Sequence, residues 1–368
     1  MDLKKNLAFI LALSRCYFIG PQRIKRLLKY FGSPKFIWEA DRWELQKAGL
    51  SEKTAKKFIQ ERKKINPEKE REKIFQQKIK IITIWEKNYP QILKKIPDPP
   101  FLLFYKGDLK HLTPSLAIVG SRKASSDGQQ STQLFSFNLA RSGLTIISGL
   151  AFGIDTIAHQ SALEAKGKTI AILGSGIDQK SFYPSANYVL SQKIINSGGA
   201  VISEYPPGTR ARTFHFPLRN RIISGLSLGT LVIESPLKGG SLITANYALK
   251  HKRLLFTIPG NINAFNYKGN NYLLKKKQAR LVTDFQDILK ELKIKNNPPA
   301  DKTPSITFTN SLEKILWKHL KNGPCHINQL TRYSKIPLAQ VSSLLSVMEL
   351  KGLIKNLGNM TYTALDKK

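Results

Sequence analysis

Four arginines, Arg210, Arg212, Arg219 and Arg221, fall within twelve residues and interleave with Phe214 and Phe216, with Tyr205 just upstream. A guanidinium presents a planar fork of donors that matches phosphate, and an aromatic face stacks on an unstacked base. The mixture points to a polyanion that carries bases, a single-stranded nucleic acid. Two carboxylates, Glu204 and Glu234, frame the stretch. Facing one cleft they would permit acid–base work, but at a basic site pairing with Arg219 and Arg221 is the stronger expectation.

Other groups able to do chemistry are sparse. His159 follows Asp155 by four residues on one helix face, so the two can pair, although packing inside the helix suits His159 better. His215 and Asp178 complete no nucleophile–base–orienter set, and no metal-ligand spacing appears. Cys16 and Cys325 are the only cysteines and lie far apart, which argues against a disulfide framework and a zinc site. Gly167-Lys168-Thr169 looks like the end of a phosphate-binding loop, but Ala162 stands where the first glycine belongs and the triplet precedes a strand. Gly120-Ser121-Arg122-Lys123-Ala124-Ser125 lacks the GxGxxG pattern of a dinucleotide fingerprint. Neither a cofactor nor a metal is expected.

The basic-aromatic stretch must be held by a frame. Leu116–Val119, Thr145–Ser148, Thr169–Leu173, Ala200–Ser203, Thr230–Glu234 and Leu254–Ile258 are apolar, β-branched runs separated by helical segments. Near-continuous hydrophobicity in each run predicts strands covered on both faces, hence a Rossmann-like, doubly wound and mainly parallel α/β sheet within residues 66–290. Ligands of such sheets bind at the carboxyl ends of the strands. Gly120-Ser121-Arg122, Gly149-Leu150-Ala151, Gly174-Ser175-Gly176 and Pro259-Gly260 follow four of the runs, and glycines there let a ligand approach the backbone.

Residues 1–65 read as a helical domain of helix-hairpin-helix or SAM-like type. Ile24, Leu27, Leu28 and Phe31 make one apolar helix face, and Gly20-Pro21 and Gly49-Leu50-Ser51 make two turns whose amides could meet phosphate. A module for protein contacts fits the same pattern equally well. The short runs Lys80–Trp85 and Phe101–Tyr105 read as an elaboration leading into the sheet. Residues 291–310, with Asn296-Asn297-Pro298-Pro299, read as a linker. Residues 311–368, with helical patterns over Leu312–Leu320 and Leu338–Met348 and a turn at Gly358-Asn359, read as a winged helix. Gln340, Ser342 and Ser343, with no arginine beside them, favour docking to protein over duplex binding.

Composition agrees with this reading. The 368 residues are 41% hydrophobic, enough for real cores, and 59 Lys and Arg against 25 Asp and Glu give a net charge of +34. The basic excess runs through residues 1–110 (26 against 12), 111–290 (21 against 8) and 291–368 (12 against 5). It points to a polyanionic partner, while many of the N-terminal lysines fit solvated helix faces equally well. No run reaches the ~18 apolar residues that span a bilayer. The apolar run near the N-terminus is short and interrupted by Ser14 and Arg15, so a cytoplasmic protein with no membrane partner is expected.

Several phrases, taken in order, resemble the DprA (Smf) family of DNA-processing proteins. They are Val119-Gly-Ser-Arg122, Ser148-Gly-Leu-Ala-Phe-Gly-Ile-Asp155, Ala158-His159 with Ala162-Leu163, Gly174-Ser-Gly-Ile-Asp178, Tyr183-Pro184 with Asn187, Ser203-Glu204, Phe216-Pro-Leu-Arg-Asn-Arg-Ile-Ile223, Gly240-Ser-Leu-Ile-Thr-Ala245 and Pro259-Gly260. The resemblance implies a single-stranded DNA-binding chaperone that protects incoming DNA during natural transformation, dimerises through its Rossmann-like domain and loads a RecA-type recombinase. It also implies DNA contacts at Arg122 and Phe216. Residues and resemblance together give a candidate DNA-binding set of Gly120, Ser121, Arg122, Gly149, Arg210, Arg212, Phe214, Phe216, Arg219, Asn220, Arg221, Gly240 and Ser241. Two lysines common in the family are Ser185 and Thr213 here, and Arg210 and Arg212 are expected to replace their charge. Two alternatives stand beside this. Thr230–Ala245 loosely resembles the nucleotide-binding edge of lysine-decarboxylase-like phosphoribohydrolases, implying a nucleotide- or nucleoside-cleaving enzyme, and a recombinase-docking adaptor would make DNA secondary.

Overall fold

The computed structural model describes residues 3–110, 112–294, 308, 310–351 and 353–364. The chain divides into two compact units, Met1–Pro299 and Ala300–Lys368. Most of the linker expected over residues 291–310 lies outside the described residues.

In the first unit the helices α1 (Leu3–Arg15), α2 (Gly20–Phe31), α3 (Pro34–Glu39), α4 (Arg42–Lys47), α5 (Glu52–Arg62) and α6 (Pro67–Gln76) come first. Helix α2 carries Pro21 in its first turn, buries Ile24 and Leu27, and stops at Gly32 in the left-handed conformation. Ser51 caps α5 by accepting from the Thr54 amide at 3.4 Å. At the Gly49 turn the amides of Ala48, Gly49 and Leu50 donate to carbonyls of α4. Those amides are spent within the turn, which counts against phosphate contact by the amides at Gly49, one of the two uses the sequence left open.

Helix α1 serves two cores. Ala12, Leu13 and Cys16, the last just beyond the helix, pack with Ile24, Leu27, Ile37 and Phe58. Ile10 and Leu11 pack instead with Leu102, Phe104, Phe182 and Leu190. Arg15 closes the contact by donating through Nε to Glu70 at 2.7 Å and through Nη1 to the Pro207 carbonyl at 2.7 Å.

The α/β layer holds β1 (Lys80–Thr83), α7 (Gln91–Lys94), β2 (Leu102–Gly107), β3 (Ser115–Val119), α8 (Ser126–Arg141), β4 (Thr145–Ser148), α9 (Ile154–Glu164), β5 (Thr169–Leu173) and α10 (Tyr188–Asn196). It continues with β6 (Ala200–Ser203), α11 (His215–Gly225), β7 (Gly229–Val232), α12 (Gly240–Lys250), β8 (Leu254–Thr257), α13 (Lys268–Lys275), β9 (Arg280–Leu281) and α14 (Phe285–Glu291). The strands form one sheet in the order β1-β2-β6-β5-β4-β3-β7-β8-β9. From β6 to β9 all neighbours are parallel, whereas β1 and β2 are antiparallel additions at the β6 edge. Every residue of β3, β4, β5, β6 and β7 is buried, because helices cover both faces and no strand has a solvated side that would call for alternation. The strand expected to run to Glu234 ends at Val232, although the Ile233 amide still donates to the Val119 carbonyl and the Glu234 carbonyl accepts from the Ser121 amide.

The strand order reverses between β3 and β7, which pair in register from Leu116 opposite Gly229 to Val119 opposite Val232. Loops leaving the carboxyl ends of these strands diverge to opposite faces, and a crevice opens between them.

The second unit contains α15 (Ser311–Leu320), β10 (Cys325–His326), α16 (Ile327–Ser334), α17 (Leu338–Leu350), β11 (Ile354–Asn356) and β12 (Thr361–Ala364), with sheet order β10-β12-β11. Leu316, Leu320, Leu330, Val341, Leu345 and Met348 form its core. The periodicity missed α16, an eight-residue helix that buries only Ile327 and Leu330.

Candidate nucleic-acid interface

The crevice at the strand-order reversal is a cleft of about 570 Å³. Gly120, Ser121 and Arg122 enter it from the end of β3, and Pro236, Gly239, Gly240 and Ser241 from the end of β7 and the start of α12. Phe216, Arg219 and Asn220 come from α11, with Asp155 from α9 and Tyr183 beyond β5.

Phe216 is the centre of the arrangement. The Arg122 guanidinium carbon lies 5.1 Å from the centre of its ring, and the Tyr183 ring is 5.6 Å away at 49°. The ring can sit there because residue 174 is glycine: a Cβ on Gly174 would come within 2.8 Å of it. The glycine expected to let a ligand approach the backbone is therefore the seat of an aromatic ring. Arg122 itself is exposed.

Behind the ring, Arg219 is only 4% exposed. Its Nη1 donates to the Gly149 carbonyl at 2.6 Å and also to the Ile172 carbonyl. Gly149 is required for this, since a Cβ would lie 2.6–2.8 Å from the guanidinium. Burial pushes the Arg219 guanidinium down to about 10, partly offset by Asp155, so it stays charged at neutral pH. Burial likewise pushes the Asp155 carboxyl up, opposed by Arg219 and by the Gly149 and Ala151 amides that donate to it. Arg219 and Gly149 thus form an internal strut beneath the cleft.

Arg221 faces away from the cleft. Its Nη2 donates to both Glu204 oxygens at 2.5 and 2.7 Å, and its Nε lies 3.4 Å from Asp98. Burial alone would lower the Arg221 pKa, but the two carboxylates outweigh it and raise it. The expected Glu204–Arg221 pair is present, whereas Glu234 does not pair with Arg219. Glu234 accepts instead from the Ser125 amide at 3.0 Å and the Ser125 hydroxyl at 2.6 Å, fixing the start of α8. The two carboxylates accordingly do not share a cleft. Phe214, 47% exposed, also leaves the site and lines, with Leu218 and Arg221, a second cavity against α1 and α2.

Arg210 and Arg212 enter a groove of about 510 Å³, together with Lys180, Tyr183, Thr213 and Phe216. Tyr183, Thr213 and Phe216 line both spaces, so groove and cleft are continuous at the ring. Tyr183 and Lys180 were not singled out from the sequence; the Tyr183-Pro184 phrase was the available signal. Gly240 opens α12 at the cleft, and nothing stands within 4 Å of where its Cβ would be.

His159 and His215 are held by internal contacts. His159 is fully buried, bonds Thr169 Oγ1 through Nδ1 at 2.7 Å and does not pair with Asp155; burial lowers its pKa to about 3. His215 stacks on Tyr205 at 4.1 Å, with its Nδ1 3.1 Å from the Gly174 carbonyl. Among the described residues no group of three His, Cys, Asp or Glu side chains could hold a metal ion, and no helix is long and apolar enough to cross a membrane.

A doubly wound sheet whose reversal point brings an exposed guanidinium and an aromatic ring together defines an α/β protein of the class whose ligand site lies at the carboxyl edge of the sheet. The profile of DNA recombination-mediator protein A matches residues 80–293, and that of the DprA winged helix domain matches residues 298–360. The chain belongs to the DNA recombination-mediator protein A (DprA/Smf) family of DNA-processing proteins. It is 32% identical to Protein Smf of Synechocystis over 96% of this chain and 98% of that one. It is 46% identical to DNA processing protein DprA of Streptococcus pneumoniae over 58% of this chain and 75% of that one. The X-ray structure of Streptococcus pneumoniae DprA superposes with a TM-score of 0.66 at 37% identity, covering 77% of this chain and 97% of that one. A Helicobacter pylori DprA structure, described as showing a single-stranded DNA binding mode, superposes with a TM-score of 0.53 at 32% identity, covering 58% of this chain and 95% of that one.

Proposed function

We propose that this protein binds single-stranded DNA in the cleft and adjoining groove, protects it during natural transformation and passes it to a RecA-type recombinase. The observation that carries the reading is the pairing of Arg122 with Phe216: one cation for phosphate and one ring for a base, at the edge where such sheets bind ligands. Ser121, Asn220 and the Gly240-Ser241 amides would complete the phosphate contacts. Arg210 and Arg212 would carry the strand onward past Phe216, supplying the charge that Ser185 and Thr213 do not. Arg219 and Gly149 act from below by holding the ring and the β4 turn. The Helicobacter pylori relative's single-stranded DNA binding supports the choice of ligand. The protein acts without catalysis, as a homodimer in the cytoplasm, with the winged helix as a docking module.

The test is binding of a fluorescent oligonucleotide, single-stranded against duplex, across a salt series. Preference for the single strand, indifference to sequence and a log–log salt slope of about −0.7 per phosphate contact are expected. Equal affinity for duplex, or turnover of a nucleoside monophosphate, would overturn the proposal.

A further inference from the structure

A second basic and aromatic surface lies in the helical layer, and none of its residues lines the cleft or the groove. Arg26, Lys29 and Tyr30 of α2 meet Lys47, Ala48 and Gly49 at the end of α4 around a notch of about 360 Å³. Gly49 shapes it: its φ is +95°, and a Cβ would fall 2.8 Å from Arg26 Nη1. The absence of a side chain lets Arg26 lie across the turn, its Nη1 donating to the Gly49 carbonyl at 3.4 Å. Tyr30 is 55% exposed and touches Phe31 edge-on at 4.9 Å, which leaves ring surface open.

The charges here are not balanced locally. Every carboxylate between residues 3 and 70 is engaged elsewhere. Glu39 pairs with Lys35, Glu52 with Arg42, Glu61 with Lys64, and Glu68 with Arg71. Asp41 and Glu44 close a capping box, and Glu70 holds Arg15 and Lys73. Among the described residues Arg26, Lys29 and Lys47 therefore face the notch without a carboxylate partner. Three like charges gathered around an accessible ring repel one another, and a polyanion relieves that repulsion.

We propose that this notch is a second contact for single-stranded nucleic acid, with phosphates on Arg26, Lys29 and Lys47 and one base on Tyr30. A duplex fits it less well, since its bases are stacked inward and offer Tyr30 no face. The contact is independent of the cleft and would lengthen the stretch of strand the protein holds.

The test uses the full chain, with oligo-dT strands of about 6 and about 40 nucleotides and a duplex, across a salt series. The triple variant Arg26→Gln, Lys29→Gln, Lys47→Gln changes exposed side chains only, and its melting curve checks the fold. It is expected to weaken long-strand binding at least tenfold, to flatten the salt slope by about 2, and to leave the short strand nearly untouched. Tyr30→Ala should weaken the long single strand and not the duplex. Unchanged long-strand affinity and slope in the triple variant would overturn the proposal, as would equal losses on short strand, long strand and duplex. Arg122→Ala read on the short strand tests the cleft separately, so either site can fail while the other stands.

Discussion

Arg122 stands 5.1 Å over the Phe216 ring, so a charge from the end of β3 and a ring from α11 form one surface although they are far apart in the chain. Neither residue alone predicts the loss expected when the other is removed. Arg122→Ala is expected to weaken single-stranded DNA binding by about tenfold or more and to flatten the salt slope by about 0.7. Phe216→Leu should cost about 1–3 kcal/mol of binding with the slope unchanged. Fluorescence anisotropy across a salt series separates the two, and an identical slope change in both variants would dissolve the division of labour.

Two glycines of the site should respond in opposite ways to a methyl group. Gly149→Ala drives a Cβ into the Arg219 guanidinium and should lower stability by about 1–3 kcal/mol, seen as an earlier denaturant midpoint. Gly240→Ala meets open space at a helix start, so the fold should gain about 0.5–1 kcal/mol while DNA binding falls as the methyl enters the cleft. Weaker folding of Gly240→Ala, or tighter binding by it, would contradict this placement.

Arg221 should behave as a structural residue. Removing it as Arg221→Ala leaves Glu204 and Asp98 facing each other without their cation. Asp98 is partly solvated, so the cost is placed near the low end of the range for breaking a buried pair, about 3 kcal/mol. Urea unfolding reads it directly, and a stability loss under 1 kcal/mol would mean that the pair is replaceable.

The buried His159 gives the fold an acid-sensitive component. Its folded pKa, about 3, lies below the ordinary histidine value of 6.5, so the folded state takes up the proton less readily than the unfolded one. Its contribution is fully present above pH 6.5 and is lost as pH falls from there towards 3, by at most about 4–5 kcal/mol. His159→Asn should therefore show a smaller decline in denaturant midpoint between pH 7 and pH 5 than the unsubstituted protein. Parallel declines would assign the acid sensitivity to other groups.

The parallel strands from β3 to β8 were legible because burial on both faces leaves unbroken apolar runs. Strands β1 and β2 were seen as runs but not as sheet, since antiparallel addition at an edge depends on a partner that local pattern does not reveal. At the site, Arg122 and Phe216 were legible from residue type and resemblance. The uses of Arg219 and Phe214 were not, because α11 sends Phe216 and Arg219 to one side while Arg221 and Phe214, the residue just before the helix, go to the other, and residue type does not say which side is the cleft. Glu234 misled for a related reason: its partner is the Ser125 cap, distant in sequence and unremarkable in type.

The double allegiance of α1 alters what a deletion at residue 65 would mean. Ile10 and Leu11 fill space against Leu102, Phe104 and Phe182, and Arg15 holds the Pro207 carbonyl on the loop that leads to Arg210 and Arg212. A fragment beginning at residue 66 would open an oily furrow along the α/β layer and release the loop's anchor. In a chimaera, the helical layer could be exchanged for a relative's only with α1 left behind on its present host.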